Sequence, residues 1–179
     1  SGTMTINNGL VEISADNGLG APPGAFTANY LTLNGGTLRH INTAVVTMLN
    51  ANRGVTIGAS GGTINLPTAS QILLYAGNIA GAGQTFTLSG LGEVRFQTNA
   101  TFLAAGHMTF GKLVVDGAMY TLGQATVGGA EDTLGAVPVV ATDDAITLQN
   151  GGRLRGNVYS ITLDSKRGIT LGTGGGIIR

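Results

Sequence analysis

The sequence predicts an all-β protein, a right-handed parallel β-helix (β-solenoid) of about eight coils that spans residues 1–179 as a single segment. Three observations predict it. The 31 glycines lack a Gly-X-Y period, which excludes collagen, and they alternate with residues that favour strands. Short Thr-x-apolar runs recur along the chain, and a long internal repeat joins them into a larger unit.

Short strands are predicted where a Thr or Arg stands between two apolar residues, because successive side chains leave a strand on opposite faces. We expect the apolar pair to face the core and the central residue to face solvent. Predicted strands lie at 4–6, 31–33, 55–57, 86–88, 94–96, 113–115, 161–163 and 169–171. The residues expected to point inward include Leu31, Leu33, Val55, Ile57, Leu148, Ile161, Leu163, Ile169 and Leu171.

A unit of about 115 residues occurs about one and a half times and divides the chain into 1–110 and a shorter copy, 111–179. Residues 31–39 match 146–155, and 53–64 match 167–178. The short segment 19–21 matches 134–136 at an offset of 115 residues. Such a unit fits about five coils of roughly 20–25 residues, and the shorter copy predicts a longer parent array.

One segment leaves an alternative open. Between Ile41 and Asn52, the spacing of Val45, Met48 and Leu49 also fits one face of a helix. The matching stretch of the second copy, 160–166, alternates like a strand.

Charge and cysteine content exclude several classes of partner. Nine basic and nine acidic residues give a formal net charge of zero, which disfavours nucleic acid as a partner. The absence of cysteine excludes disulfides and thiolate metal sites. No apolar run approaches the roughly 20 residues that cross a bilayer, so we expect no membrane insertion by this segment.

The acidic residues concentrate in two adjacent pairs beside residues 137–140. We interpret them as solvated loop carboxylates, with a weak surface Ca²⁺ site as the alternative. The candidate calcium ligands are Glu131, Asp132, Asp143 and Asp144. No catalytic residue and no cofactor-binding residue is predicted, and the chain is not expected to be an enzyme.

Other polar features are interpreted structurally. His40 and His107 are isolated from carboxylates in sequence, and glycine runs at 18–20 and 172–176 lack the lysine and helix of a phosphate loop. A solvated basic face is expected from Arg153, Arg155, Lys166 and Arg167. Core-filling aromatic residues are expected at Phe26, Tyr30, Phe86, Phe96, Phe102 and Phe110.

The ordered series 16–22, 31–39, 52–58 and 61–64 resembles the autotransporter-associated β-strand repeat, also called the passenger-associated transport repeat. Residues 79–83 and 86–96 resemble its glycine-rich strand pair, although 86–110 is irregular. The resemblance covers nearly the whole chain. It implies a β-helical passenger segment of a large bacterial surface or secreted protein.

The function expected is therefore a structural or adhesive stalk, extracellular or on a bacterial cell surface. Its expected partners are neighbouring repeats or identical copies, together with host or cell-surface glycans or proteins. A phage or viral fibre or tailspike is the alternative. A polysaccharide-active enzyme would need a carboxylate cluster. An ice-binding solenoid would need aligned Thr-x-Thr rows, and Thr3, Thr5, Thr85 and Thr87 are expected to be too scattered to form them.

Overall fold

The computed structural model describes residues 2–42, 46–96, 108–122, 133–156 and 162–179. They form an all-β solenoid in which each strand pairs in parallel with strands of the adjacent coils. The helical content of these ranges is limited to 3₁₀ conformation at Asp16–Leu19 and at Thr133. The predicted all-β parallel solenoid is confirmed.

Three sheets form the sides of the solenoid, and we call them face 1, face 2 and face 3. Face 1 contains β1 (Met4–Asn7), β3 (Thr27–Asn34), β6 (Arg53–Ile57) and β9 (Ile79–Ala80). Face 2 contains β2 (Leu10–Ile13), β4 (Thr37–His40), β7 (Gly62–Leu66), β10 (Thr85–Gly90), β12 (Lys112–Asp116), β14 (Thr142–Gln149) and β16 (Arg167–Leu171). Face 3 contains β5 (Val46–Leu49), β8 (Ile72–Tyr75), β11 (Glu93–Phe96), β13 (Met119–Thr121), β15 (Gly152–Arg155) and β17 (Gly176–Ile178).

The solenoid makes about six turns, because six steps separate the seven strands of face 2. The predicted number of about eight coils was too high. Some coils match the expected length, since Leu31 and Val55 are register partners 24 residues apart. Others are longer, since Leu113 and Ile146 are partners 33 residues apart. Loops lengthen a coil without changing its strand register. Dividing the chain length by one uniform coil length of roughly 20–25 residues therefore overestimates the number of coils.

The predicted alternation of inward apolar and outward polar residues holds in the middle of the stack. Leu31, Leu33, Val55, Ile57 and Leu148 are buried. Leu163 and Ile169 are half-buried, and Leu163 lies outside any strand. Leu171 lies in register with buried Leu148 and so points inward as predicted, but it is 60% exposed. Its strand, β16, is the outermost strand of face 2, and no strand among the described residues packs against its outer side. Ile161 lies outside the described residues.

Aromatic side chains stack along the core from one coil to the next. The ring centroids of Tyr75 and Phe96 are 6.2 Å apart, and those of Phe96 and Tyr120 are 5.1 Å apart. Phe86 and Phe110 form a second pair at 5.3 Å. The predicted core positions of Tyr30, Phe86, Phe96 and Phe110 are confirmed. Phe26 is 40% exposed, which corrects its prediction, and Phe102 lies outside the described residues.

The segment with an alternative helical interpretation contains a strand, β5, which pairs with β8 on face 3. In the same turn of the chain, β4 precedes it on face 2 and β6 follows it on face 1, so a strand at this position completes the third side of the coil. Within the described ranges, no helix has the length and apolar character needed to cross a bilayer.

The internal repeat does not return to the same face. β3 and β6 lie in face 1, whereas the matching strands β14 and β16 lie in face 2. One turn after β3 the chain reaches β6, and a second turn brings it to β9. A third turn reaches Met108, which forms a bridge with Ile79, and a fourth leads into the coil that contains β14. The unit therefore advances four turns plus one face, and the second copy is rotated by about a third of a turn.

Candidate functional site

The most extensively bonded charged group in the described residues is the guanidinium of Arg53, at the start of β6. Its side chain is 1% exposed and lies 2.9 Å from the Asp16 carboxylate. Nη1 donates to the Leu19 carbonyl at 3.3 Å, and Nη2 donates to the Gly20 carbonyl at 2.5 Å. The guanidinium therefore binds the 3₁₀ turn and the residues after it to the next coils.

Two tyrosines complete this network. The Arg53 guanidinium lies 4.6 Å from the centroid of the Tyr30 ring, a cation–π geometry. The Tyr30 hydroxyl donates to the carbonyl of Leu19 at 2.9 Å, and the Tyr75 hydroxyl donates to the carbonyl of Arg53. Burial lowers the pKa of Arg53, but its bonds to Asp16 outweigh burial and raise the pKa overall. Arg53 therefore stays charged.

A second buried arginine repeats the arrangement. Arg167, at the start of β16, donates to the carbonyls of Leu134 at 2.9 Å and Gly135 at 3.1 Å. These carbonyls match those of Leu19 and Gly20 at an offset of 115 residues. Arg167 is therefore part of the interior and does not belong to the predicted solvated basic face, because two buried carbonyls require donors.

The sequence contained a signal for this network that the prediction of site residues did not use. The dipeptide Arg-Gly and the tripeptide Leu-Gly-Ala both recur in the two copies. The glycine is needed for close approach, since a Cβ on Gly54 would lie 2.2 Å from the Ala28 carbonyl oxygen. A Cβ on Gly168 would lie 2.5 Å from the Cα of Asp143. Together these short motifs encode one arginine-capped loop per copy.

The structure describes two of the four candidate calcium ligands, Asp143 and Asp144. Glu131 and Asp132 lie outside the described residues. Asp144 is exposed and pairs with Lys112 at 2.6 Å, a hydrogen bond that lowers the pKa of its carboxyl group. Asp143 is exposed, and its backbone carbonyl accepts a hydrogen bond from Thr170. Within the described ranges, no three His, Cys, Asp or Glu side chains come together as metal ligands.

Face 3 carries a carboxylate that sequence reasoning did not single out. Glu93 is buried and accepts hydrogen bonds from Arg95 at 2.6 Å and from the Thr121 hydroxyl at 2.5 Å. Arg155 lies 4.0 Å away. Burial raises the pKa of Glu93, and these donors overcome burial and lower it overall. All of these groups are engaged with one another across three adjacent coils.

The other basic residues and the two glycine runs singled out in the sequence lie on strands, in turns and at corners of the solenoid. Arg153 is exposed and Arg155 is half-buried on β15, while Lys166 is exposed in the turn before β16. Gly18 and Gly20 lie in the loop capped by Arg53. Of the glycine run at 172–176, residues 172–175 form the corner between β16 and β17, and Gly176 begins β17. At that corner the Gly172 amide donates to the Leu148 carbonyl at 2.9 Å, as the Gly58 amide does to Leu33 at 2.7 Å in the first copy.

His40, at the end of β4, is buried, and its Nε2 has no hydrogen-bond partner among the described residues. Burial lowers its pKa, and a hydrogen bond to the backbone of Ser14 only partly opposes this. His107 lies outside the described residues. An imidazole inside the stack is a neutral core group at neutral pH.

Outward side chains on face 2 line up in columns. One column is Thr37, Thr63, Thr87, Val114, Thr147 and Thr170. The next joins Glu12 to Arg39 at 3.1 Å, Arg39 to Asn65 at 2.9 Å and Asn65 to Ser89 at 2.8 Å. Of the threonines expected to be too scattered for Thr-x-Thr rows, Thr87 lies in this column, whereas Thr5 lies on face 1 and Thr85 pairs with Lys112. The row is one threonine wide and is bordered by charged side chains, unlike paired Thr-x-Thr rows.

These features define the chain as a parallel β-solenoid whose polar groups bond between adjacent coils. Comparison with protein-family models, with curated proteins and with solved structures gave no match. The architecture and the paired polar groups are therefore the basis for a functional proposal.

Proposed function

We propose that this chain is a rigid structural segment, a stalk or passenger, of a large secreted or cell-surface protein. One observation carries the proposal. Charged and polar side chains bond mainly to the next coil, as in the Arg53 network and the Glu12–Arg39–Asn65 column. Side chains used in this way hold successive coils together.

The main chain supports the same role. Parallel ladders continue through seven strands of face 2 and six strands of face 3. In a solenoid each coil contacts its neighbours, so stiffness comes from many similar interfaces in series. Stacked aromatic rings add contacts along the same direction, from Tyr75 through Phe96 to Tyr120. Such a body maintains a fixed spacing between whatever it joins.

The proposed location outside the cell is based on the resemblance of four segments to a known repeat. Residues 16–22, 31–39, 52–58 and 61–64 resemble the autotransporter-associated β-strand repeat in order and spacing. Proteins with that repeat are large bacterial surface or secreted proteins. The resemblance therefore supports an extracellular role with adhesion or self-association as its outcome.

Rigidity can be tested with spin labels, because the chain has no native cysteine. Thr37 and Thr170 are five coils apart in one column, which corresponds to about 24 Å at about 4.8 Å per coil. Double electron–electron resonance on the Thr37→Cys, Thr170→Cys variant should give one narrow distance distribution. The matched pair Thr37→Cys, Thr147→Cys should be shorter by about 4.8 Å. A broad distribution in either pair would exclude a rigid spacer.

Location needs a separate experiment. Antibodies against the 179-residue chain should label intact source cells or detect the parent protein in culture supernatant. Protease added to intact cells should remove the surface signal. Signal confined to the cytoplasm would exclude a surface or secreted role, and signal on purified virions would identify a fibre instead.

A further inference from the structure

Three arginines lie on the outer side of face 3, one on β11 and two on β15. The register arranges this surface in two outward columns, with Arg95, Thr121 and Arg155 in one and Glu93, Met119 and Arg153 in the other. β11 pairs with β8 and β13, and β15 pairs with β13 and β17. Both strands that carry arginines therefore have a paired strand on either side and belong to the interior of the stack.

Positive charge exceeds negative charge on this surface. Glu93 is the only side-chain carboxylate on the described strands of face 3, against three arginines. The strands on either side contribute apolar residues to the same columns, Ile72 and Leu74 from β8 and Ile177 from β17. Two positive charges are therefore left without a carboxylate among these strands.

The carboxylate of Glu93 is already bonded on both oxygens. Arg95 donates from Nε to Oε1 at 2.6 Å and from Nη2 to Oε2 at 2.9 Å, and the Thr121 hydroxyl donates to Oε1 at 2.5 Å. Nη1 of Arg155 lies 4.0 Å from Oε1, which is beyond hydrogen-bonding distance. The side chain of Arg155 is 39% exposed, so its guanidinium retains donors for an acceptor outside the chain.

Among the described residues, Arg153 has no charged partner. Its side chain is exposed, and neither a hydrogen bond nor an ion pair joins it to the part of the chain that the structure describes. On face 2, by contrast, Arg39 pairs with Glu12 at 3.1 Å and Lys112 pairs with Asp144 at 2.6 Å. Face 3 therefore keeps guanidinium groups available where face 2 neutralises its basic side chains.

The spacing of these arginines suits a linear anionic polymer. Arg153 and Arg155 are two residues apart on one strand, about 6.6 Å, and Arg95 lies two coils from Arg155, about 9.6 Å. Guanidinium groups bind oxyanions such as carboxylate and phosphate through two parallel hydrogen bonds. The aromatic rings on β11 and β13, Phe96 and Tyr120, are buried, so nucleic-acid bases have no ring to stack on at this surface. An acidic polymer without bases therefore fits the surface best.

We propose that Arg153 and Arg155, with Arg95 beside them, bind an acidic polysaccharide that runs along the axis of the solenoid. Arg95 neutralises Glu93, which leaves Arg153 and Arg155 to pair with carboxylate or sulfate groups of the polymer. This inference rests on the proposed role at the cell surface and names a ligand for that role. The site uses no residue of the first or the last coil.

Titration calorimetry of the 179-residue chain with defined polymers tests the site. Heparin, which is sulfated, or polygalacturonate, which is carboxylated, should bind, and the tighter of the two identifies the acidic group; neutral dextran should not bind. The double variant Arg153→Gln, Arg155→Gln should lose affinity by about fivefold or more, since one exposed ion pair contributes about two- to fivefold. Arg39→Gln is the matched control and should bind like the wild type, because Arg39 is similarly exposed, at 38%, but already has a carboxylate partner.

A gain of affinity separates binding from folding. Glu93→Gln removes the carboxylate that holds Arg95 and should tighten binding by about two- to fivefold, which an unfolded variant cannot do. Circular dichroism checks that each variant is folded. Weaker binding by a folded Glu93→Gln variant would overturn the site.

Three other results would also reject this ligand. They are no binding of either acidic polymer, unchanged affinity in the double variant, and equally tight binding of duplex DNA. The proposed function would survive each of them if the spin-label distances stay narrow and intact cells are labelled. It would fail independently if the distances are broad or the signal is confined to the cytoplasm.

Discussion

The two copies of the repeated unit have the same local bonds on different faces of the solenoid. In the first, the Thr27 amide donates to Asn52 and the Arg53 amide to Asn50; in the second, Thr142 donates to Lys166 and Arg167 to Asp164. All four bonds measure between 2.9 and 3.0 Å. The local structure of the unit therefore depends on contacts with adjacent coils. The same structure forms on face 1 in the first copy and on face 2 in the second.

The copies differ where Tyr30 of the first is replaced by Ala145 in the second. Tyr30 packs against Arg53 and donates to Leu19, whereas Ala145 offers neither a ring nor a hydroxyl. Both arginines remain buried and both donate to the carbonyls of a Leu-Gly pair. The arginine is thus the common element, and the tyrosine is an addition.

Removing either buried arginine should give the largest loss of stability. Arg53→Ala leaves Asp16 without its buried partner and should reduce the free energy of unfolding by about 3–5 kcal/mol. Arg167→Ala should cost at least about 1–3 kcal/mol, because two buried carbonyls lose donors. Urea denaturation measures both, with exposed Arg153→Ala as a control expected to stay within about 0.5 kcal/mol. Equal stability of the Arg53→Ala variant and the wild type would show that its network is dispensable.

The glycine after each arginine should show the next largest effect. Gly54→Ala and Gly168→Ala both force a Cβ against neighbouring backbone, so each should lose about 1–3 kcal/mol of stability. Gly24→Ala is the matched control, because a Cβ there meets nothing within 4 Å. Thermal denaturation of the three variants compares them. If Gly54→Ala and Gly24→Ala melt alike, close approach of the coils does not require glycine.

The tyrosine found in one copy should contribute less. Tyr30→Phe keeps the ring beside Arg53 but removes the hydroxyl that donates to Leu19, so about 1 kcal/mol of stability should be lost. The same substitution made in the Arg53→Ala background reports whether the two groups act together. Losses that simply add would mean that the tyrosine and the arginine stabilise the loop independently.

A smaller effect should appear with pH, again in one copy, since His40 is matched by Gly156 in the second. Burial lowers the pKa of His40 in the folded chain. The unfolded chain therefore binds the proton more tightly, and stability should fall as pH drops below about 6.5. His40→Gln should flatten this part of the stability profile. An unchanged slope in His40→Gln would assign the dependence to another group.

The sequence predicted the solenoid and its strands because both depend on local alternation and glycine corners. Residues 31–33 and 55–57 are examples, and their inward residues are buried as expected. The roles of Arg53 and Arg167 were missed because a buried arginine is recognised by carbonyls that lie far from it in sequence. Alignment of Thr37, Thr63 and Thr87 was missed for the same reason, since it depends on loop lengths in every coil.

The rotation of the unit by one face has a consequence for any longer array of such units. Three units would complete thirteen coils and bring a surface patch back to the same side after about 60 Å. Between these points, identical patches point in three directions around the axis. A flat partner such as a membrane or a wall could contact only every third unit, so its multivalent binding would depend on a long spacing. A ligand in solution could instead occupy every unit.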